Sequence, residues 1–330
     1  MTSRVSIRGV AKAAGVAIGT VSKSLNGDRE ISEATRDRVR RVARDLGYRP
    51  MAQARGLARG STGNVAVAVR SVFLSVFASA FYSEVLAGVE AELERHDLNL
   101  LLTSLKYGDD LLRLASERRA DGVLYIGYDL GDAFLRELSA RVPLVVIDGE
   151  AEGISSVVSR NVAGARAGAQ HLLARGRRRL LFAASTLEQP NFRARHGGFN
   201  AALRAVGLEP GPTVQGWTFA ELYAQLSALF TDPSVSNPPD GIVCANDSVG
   251  YLVLQVLETI GVRVPEDVAI VGYDGTVEAE ARRTRLSTVV VDKREMGAAG
   301  VRLLLARLAH PEKPPQQVVI EAQLEPGDTS

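Results

Sequence analysis

Cysteine is nearly absent from this chain. The one residue, Cys244, cannot form an internal disulfide, and its apolar run Gly241-Ile242-Val243-Cys244-Ala245 points to buried packing rather than a reactive thiol. Histidine is scarce too: His96, His171, His196 and His310 are scattered without metal-ligand spacing, so no metal site and no cofactor are expected. No apolar run approaches the ~20 residues that a membrane helix needs. The first residues, Met1-Thr2-Ser3-Arg4-Val5-Ser6, carry no apolar signal core, so the expected location is the cytoplasm, away from any membrane.

What is present is a charge split. Residues 1–60 hold 13 Lys and Arg against 5 Asp and Glu, a net +8; the remaining residues hold 26 against 33, a net −7. A basic head suits a polyanion, and an acidic body does not. With 330 residues, 46% of them hydrophobic and 23% charged, the chain has the composition of a globular protein of two or three domains.

The head reads as three short helices. Residues 8–14 have Val10, Ala13 and Ala14 as an apolar face, and residues 18–25 have Val21 and Leu25 four apart. Gly15 between them suits a tight turn. A third helix starts at Ser32 as N-cap, buries Val39, Val42, Ala43 and Leu46, and ends at Gly47. This is a minimal helix-turn-helix, whose second helix would enter the major groove. A small bundle with a solvated basic face is the alternative at this level.

From Asn64 onward, β-rich runs alternate with helical stretches. Val65 to Val69, Leu98 to Thr103, Gly122 to Ile126 and Leu144 to Ile147 are followed by a restart with strands at Leu180-Leu181-Phe182, Gly241 to Ala245 and Val268 to Gly272. Helices are expected near Phe81 to Arg95 and from Asn161 and Arg195. Such alternation makes parallel sheets covered on both faces, here two doubly wound α/β lobes, with ligands at the carboxyl ends of the strands. Asp148, Asn246, Asp247 and Asp274 follow strands, and Arg195 follows the loop Glu188-Gln189-Pro190-Asn191. A carboxylate after a strand is also a common helix N-cap, and that alternative stands beside the ligand-binding one.

Two runs in the head, Val5-Ser6-Ile7-Arg8-Gly9-Val10-Ala11-Lys12-Ala13-Ala14-Gly15-Val16 and Thr20-Val21-Ser22-Lys23-Ser24-Leu25-Asn26-Gly27, resemble the head of the lac repressor (LacI/GalR) family. Ile31 to Arg36 and Leu46-Gly47-Tyr48-Arg49-Pro50 continue the likeness. In the body it resumes with Asp121-Gly122-Val123, Arg195-His196-Gly197-Gly198-Phe199, Ala245-Asn246-Asp247, Val264 to Val268, Val271-Gly272-Tyr273-Asp274 and Leu286-Ser287-Thr288-Val289. The resemblance implies an all-α helix-turn-helix head over residues 1–49 and a hinge over 50–62. It also implies a two-lobed periplasmic-binding-protein-like body over 63–330, for effector binding and dimerisation. The N-lobe would take about 63–159 and 291–320, the C-lobe about 160–290 and 321–330, with crossings near Ser159-Arg160, Val290-Val291 and Glu321.

The same resemblance implies a homodimeric regulator, usually a repressor, on a pseudo-palindromic double-stranded operator. Its base-reading positions fall on Ile18, Gly19 and Lys23, where polar readers and Arg are common, and Ala17 replaces the usual capping Ser. Ile18 can offer a thymine methyl only apolar contact, and Lys23 reaches guanine without Arg's planar fork. Thr20, Ser22, Asn26 and Tyr48 are candidate phosphate contacts, with packing and turn chemistry as the alternative. In the hinge, Leu57 falls at the position that wedges into the central base step, and Ala54 and Arg55 fit the pattern.

For the effector, the motifs of Arg195 and Asp274 are ligand-binding in the family, and with Asn246 they suit vicinal hydroxyls. Trp217 stands where the family's namesake carries a sugar-facing Trp, and Phe81-Tyr82 resembles a pair that often lines the cleft. Core packing is the alternative for Trp217 and Phe81. With Asp148, these residues make a small sugar-like effector the leading expectation over a nucleobase. Two departures are Arg70 to Ala80, where the usual Pro-Asp and Asn-Pro signals are missing, and Val291-Asp292-Lys293, where Gln-Pro-Arg is common. The C-terminal residues carry no leucine heptad, so a dimer is expected rather than a tetramer.

An enzyme acting on sugars or nucleosides would use Asp148 or Asp274 as base, but no nucleophile–base constellation or phosphate-binding Gly loop accompanies them. A plain ligand-binding module would leave the basic head without a DNA role. Gly56 offers a direct test of the hinge: inside a helix it costs about 1 kcal/mol relative to Ala. Gly56→Ala is therefore expected to tighten operator binding several-fold in a retention assay, and unchanged or weaker affinity would count against a hinge helix.

Overall fold

The computed structural model describes residues 6–25, 30–48, 61–70, 79–105, 109–127, 130–276 and 284–330. Asn26, Ala54, Gly56 and Leu57 lie outside them. The described chain divides into two compact units, 1–63 and 64–330.

In the first unit, helices α1 (Ile7–Ala14), α2 (Ile18–Leu25) and α3 (Glu33–Asp45) enclose a small core. Ser6 caps α1 through Gly9 N, and Ser32 caps α3 through Thr35 N. Gly15 ends α1 in the left-handed region at φ 67°, which costs a residue without Cβ nothing, and the chain turns there into α2. Val10, Ala11, Ala14, Val21, Val39 and Ala43 are buried together. Two expectations fail locally. Ala13 points outward and Ala11 takes its place in the core, because α1 begins at Ile7 and its inward face follows Ile7, Val10, Ala11 and Ala14. Leu46 is exposed, because α3 ends one residue before it and it serves as the C-cap.

The second unit holds two six-stranded sheets. The first is built from β1 (Asn64–Arg70), β2 (Asn99–Leu105), β3 (Gly122–Ile126), β4 (Leu144–Ile147), β5 (Ser155–Ser159) and β11 (Gln317–Ile320), in the order β11-β5-β4-β3-β1-β2. All of its pairings are parallel. Val65, Val67 and Val69 face one side and Ala66 and Ala68 the other, and every one is buried. Helices must therefore cover both faces. α4 (Ala80–Arg95) and α11 (Lys293–Ala309) cover one; α5 (Asp109–Ser116) and α6 (Asp132–Ser139) cover the other.

The second sheet is built from β6 (Leu180–Ala184), β7 (Thr213–Gln215), β8 (Gly241–Cys244), β9 (Ala269–Asp274), β10 (Ser287–Val291) and β12 (Ala322–Glu325), in the order β12-β10-β9-β8-β6-β7. β12 alone runs antiparallel, against β10. Its helices are α7 (Asn161–Ala174), α8 (Pro190–Arg204), α9 (Phe219–Thr231) and α10 (Asp247–Thr259). Helix α8 starts at Pro190, with Pro at its first position, and not at Arg195. Arg195 therefore sits a full turn inside the helix. Cys244 is buried, and burial pushes its thiol far up, as inert packing requires.

The chain passes between the sheets three times: from β5 into α7, from β10 into α11, and from β11 into β12. Arg160 Nε donates to Glu321 Oε1 at 2.7 Å, tying the first and third crossings. Helices α4 and α11 pack at very close range, because glycines face backbone in both directions. A Cβ on Gly88 would lie 1.9 Å from Arg294 O, and one on Gly297 would lie 2.1 Å from Val85 O. Neither backbone can yield as a flexible side chain would. Gly88→Ala is expected to cost about 1–3 kcal/mol by overpacking, read as a lowered Tm, while Glu90→Ala on the exposed side of the same helix leaves Tm nearly unchanged.

Candidate functional site

A cavity of about 140 Å³ opens where the strand ends of the two sheets face each other. Its lining includes Phe81, Tyr82, Asp148, Arg195, Trp217, Asn246 and Asp274, so seven of the eight residues singled out in the sequence meet at one place, Asp247 being the exception. Asp148 follows β4, Asn246 follows β8, and Asp274 ends β9, each at the carboxyl end of a parallel strand.

Arg195 organises one wall. Its side chain is only 2% exposed. Nε donates to Asn161 Oδ1 at 2.8 Å, and Nη1 donates to Ala245 O at 2.6 Å and Asp274 Oδ1 at 3.2 Å. The guanidinium carbon lies 3.6 Å from the centroid of Tyr273. A buried cation needs this density of acceptors and π-face to offset lost hydration. Asp274 is held at φ 113°, an uncommon backbone for a residue with a Cβ. Burial raises its pKa, opposed by Arg195 and then Lys293.

Asp148 is the counterpart on the first sheet. It too has a left-handed backbone, φ 57°. Oδ2 accepts from Asn191 Nδ2 at 3.3 Å, while the buried Oδ1 has no hydrogen-bond partner among the described residues. Burial pushes its pKa up to about 7, against the lowering effect of Arg195. Asn246 caps α10, accepting from Val249 N at 3.0 Å. Asp247 lies one residue later, fully buried, and binds Thr276 N at 2.8 Å and Thr288 Oγ1 at 2.5 Å. It shapes the site from behind and is neither the N-cap nor part of the lining.

Trp217 is 57% exposed on the cavity rim, not core-packed. Its backbone is fixed by the capping box of α9: Glu221 Oε2 accepts from Trp217 N at 2.7 Å and Thr218 N at 3.1 Å, which holds the Glu221 carboxyl below its usual range. Phe81 is buried and meets Tyr82 edge-on, ring centroids 5.4 Å apart, in the first turn of α4. Sequence reasoning missed Ser79, Ser185, Gln189, Asn191, Ser248 and Thr276 in the lining. A signal was present for Asn191, since Pro190 as a first helical residue puts Asn191 at the helix mouth facing the strand ends.

In the head, Ile18, Gly19 and Lys23 are exposed on α2. Ala17 O accepts the first helical bond, from Val21 N at 3.1 Å, but offers no capping side chain. Lys23 pairs with Glu30. Thr20 and Ser22 are half-buried, and Tyr48 packs against the head core.

Comparisons with known proteins bear on both units. The family model for bacterial regulatory proteins of the lacI family matches residues 6–51, and a periplasmic binding protein-like domain matches 169–330. The HTH-type transcriptional regulator CelR of Thermobifida fusca is 31% identical over 329 residues, 97% of each chain. The chain belongs to the LacI family. It is thus a helix-turn-helix transcriptional regulator, DNA-binding through its head. Another relative is the HTH-type transcriptional regulator GntR of Pseudomonas aeruginosa, 31% identical over 326 residues, 94% of this chain and 91% of its own. Among solved structures, the CelR–cellobiose complex aligns with TM-score 0.70 at 30% identity, covering 99% of this chain and 100% of that one. The lac repressor dimer bound to operator and the anti-inducer ONPF aligns with TM-score 0.84 at 23% identity, covering 99% of each, a likeness of fold. No helix among the described residues is long and apolar enough to cross a membrane.

The raised pKa of Asp148 has a signed consequence. A ligand that donates hydroxyls to its oxygens favours the carboxylate, so affinity is expected to fall as pH drops from 8 to 6 through its pKa near 7. The ligand-free protein should respond oppositely. Its folded pKa lies above the unfolded value, so this group's contribution to stability is lost as pH rises toward 7 and regained in acid. Titrations of affinity and Tm across this range check both signs; Asp148→Asn should flatten the affinity profile and lessen the slope of Tm, to which Asp247, also raised by burial to about 7, still contributes.

Proposed function

We propose that this LacI-family protein acts as a homodimeric repressor on a pseudo-palindromic operator, and that a small sugar-like molecule bound at the interlobe cavity controls its DNA affinity. The observation that carries the reading is the polar set on facing strand ends: Arg195 locked to Asp274, with Asp148, Asn246 and Asn191 around an exposed Trp217. Carboxylate and amide acceptors beside a fixed guanidinium match vicinal hydroxyls, and an indole face packs on the C–H face of a pyranose. Phe81 and Tyr82 close the other side. Cellobiose in the CelR complex supports the same chemical class.

Asp148, with its raised pKa, would also suit a general base. The groups it faces are Asn191, Arg195 and Asp274; the one potential nucleophile among them, the Asp274 carboxylate, is already engaged by Arg195 Nη1, so we read Asp148 as a hydroxyl acceptor and the protein as a regulator without enzymatic turnover. The units divide the work: residues 1–49 grip DNA, 50–62 form the hinge, and 63–330 sense the effector and dimerise, in a protein of the cytoplasm. Ile18, Gly19 and Lys23 read bases; Thr20, Ser22, Asn26 and Tyr48 meet phosphate; Ala54 and Leu57 enter the minor groove. Effector binding favours one lobe orientation and so one hinge spacing, with a coupling of about 1–3 kcal/mol.

The test uses the full chain and DNA upstream of its own gene. Mono- and disaccharides are screened by thermal shift, and those that stabilise the protein are added to a DNA-retention assay. A sugar that shifts Tm should also change operator retention. Arg195→Ala should weaken its binding roughly 10–100-fold, as expected for removal of a charged hydrogen-bonding group. Retention that never responds to a bound sugar, or a sugar bound equally by the Ala variant, rejects the reading.

A further inference from the structure

Lys293 departs from the family pattern in the sequence, and the function above gives it no role. It is the first residue of α11 and is only 3% exposed, although an ammonium at a helix N-terminus meets an unfavourable dipole. Its Nζ donates to Asp274 O at 2.8 Å, Gly275 O at 2.6 Å and Val291 O at 3.2 Å. Three acceptors match the three protons of an ammonium. The nearest carboxylate oxygen across the crossing is Glu84 Oε1 at 3.7 Å, on α4, and this oxygen is itself buried.

These partners come from both lobes. Asp274 ends β9 in the second sheet and Gly275 follows it; Val291 ends β10 at the crossing; Glu84 lies one turn beyond Phe81 and Tyr82 in the helix that covers the first sheet. Asp274 and Gly275 both have positive φ, 113° and 64°. An unusual backbone persists only where its surroundings over-determine it, and here the carbonyls of both residues converge on one cation. The side chain of the same Asp274 meets Arg195 in the cavity.

We infer that Lys293 is the positioning residue of the effector site: its ammonium clamps the Asp274-Gly275 turn so that the Asp274 carboxylate meets Arg195, and through Glu84 it ties that turn to the first helix of the opposite lobe. The inference rests on the sugar-binding reading for its ligand but not for its geometry. A longer, uncharged or absent side chain at 293 would release the turn. The cavity would then lose its fixed acceptor while both sheets remain intact.

The experiment compares full-length wild type, Lys293→Met and Glu84→Gln, first by amide hydrogen exchange without ligand. Lys293→Met should exchange at least tenfold faster over 270–276, with 180–184 and 241–244 unchanged. Glu84→Gln should speed exchange over 80–86 and leave 270–276 as in wild type. Equal exchange over 270–276 in wild type and Lys293→Met overturns the clamp, and equal exchange over 80–86 in Glu84→Gln overturns the tie. If Lys293→Met does not fold, Glu84→Gln and Lys293→Arg carry the test: Arg, with a differently shaped cation, should raise exchange over 270–276, and wild-type protection there overturns the clamp.

The second measurement follows the fluorescence of Trp217, the single tryptophan, during titration with cellobiose and glucose. Lys293→Met should weaken binding of the responding sugar at least tenfold while operator affinity without ligand stays within threefold. A purely structural role would move both or neither, and unchanged sugar affinity overturns the inference. If neither sugar nor any other saccharide binds wild type, the sugar reading fails and the exchange data alone decide the clamp.

Discussion

The buried guanidinium of Arg195 is the interaction on which the site depends. A cation removed from water is tolerable only when its donors and its face are occupied, and Arg195 draws in a neighbour from each surrounding element. Asn161 comes from the start of α7, Ala245 from the end of β8, and Asp274 and Tyr273 from the end of β9. Its demand for partners brings three strand and helix ends of one lobe together. Asp274 and Asn246 face the cavity on the wall that this convergence builds.

The facing wall is held less tightly, and the contrast is informative. Asp148 has one long hydrogen bond to Asn191 and a buried oxygen with no hydrogen-bond partner among the described residues, so burial dominates its ionisation. One wall is thus satisfied before a ligand arrives and the other has acceptor capacity in hand. An unsatisfied buried acceptor is a cost that a donor from outside can remove. In the function proposed above, a ligand would complete this side against a finished other.

Much of this was legible along the chain. The alternation of β-rich and helical runs, Gly15 as a turn, Ser32 as a cap and the strand-end acids follow local rules of periodicity and capping, which act over a few residues. Elsewhere local signals misled. Ala13 and Ala11 are both small and apolar, and only the start of α1 at Ile7 decides which one packs. Leu46 reads as core but ends outside, because its helix stops one residue early. Arg195 reads as a helix opener, whereas Pro190 five residues earlier begins α8 and leaves Arg195 deep enough to be buried.

The sequence by itself determined the charge division between head and body, the family motifs and the residue types at the strand ends, because these depend on composition and short-range spacing. Only the tertiary structure decided which of those residues share a cavity, that Asp247 supports the wall from behind while Asn246 caps the helix, and that Lys293 lies beneath Asp274. Such facts depend on three crossings of the chain between two sheets, which bring residues a hundred or more positions apart within hydrogen-bonding distance. No local rule contains that distance, since burial and the pairing of charges are settled only when distant segments close on one another.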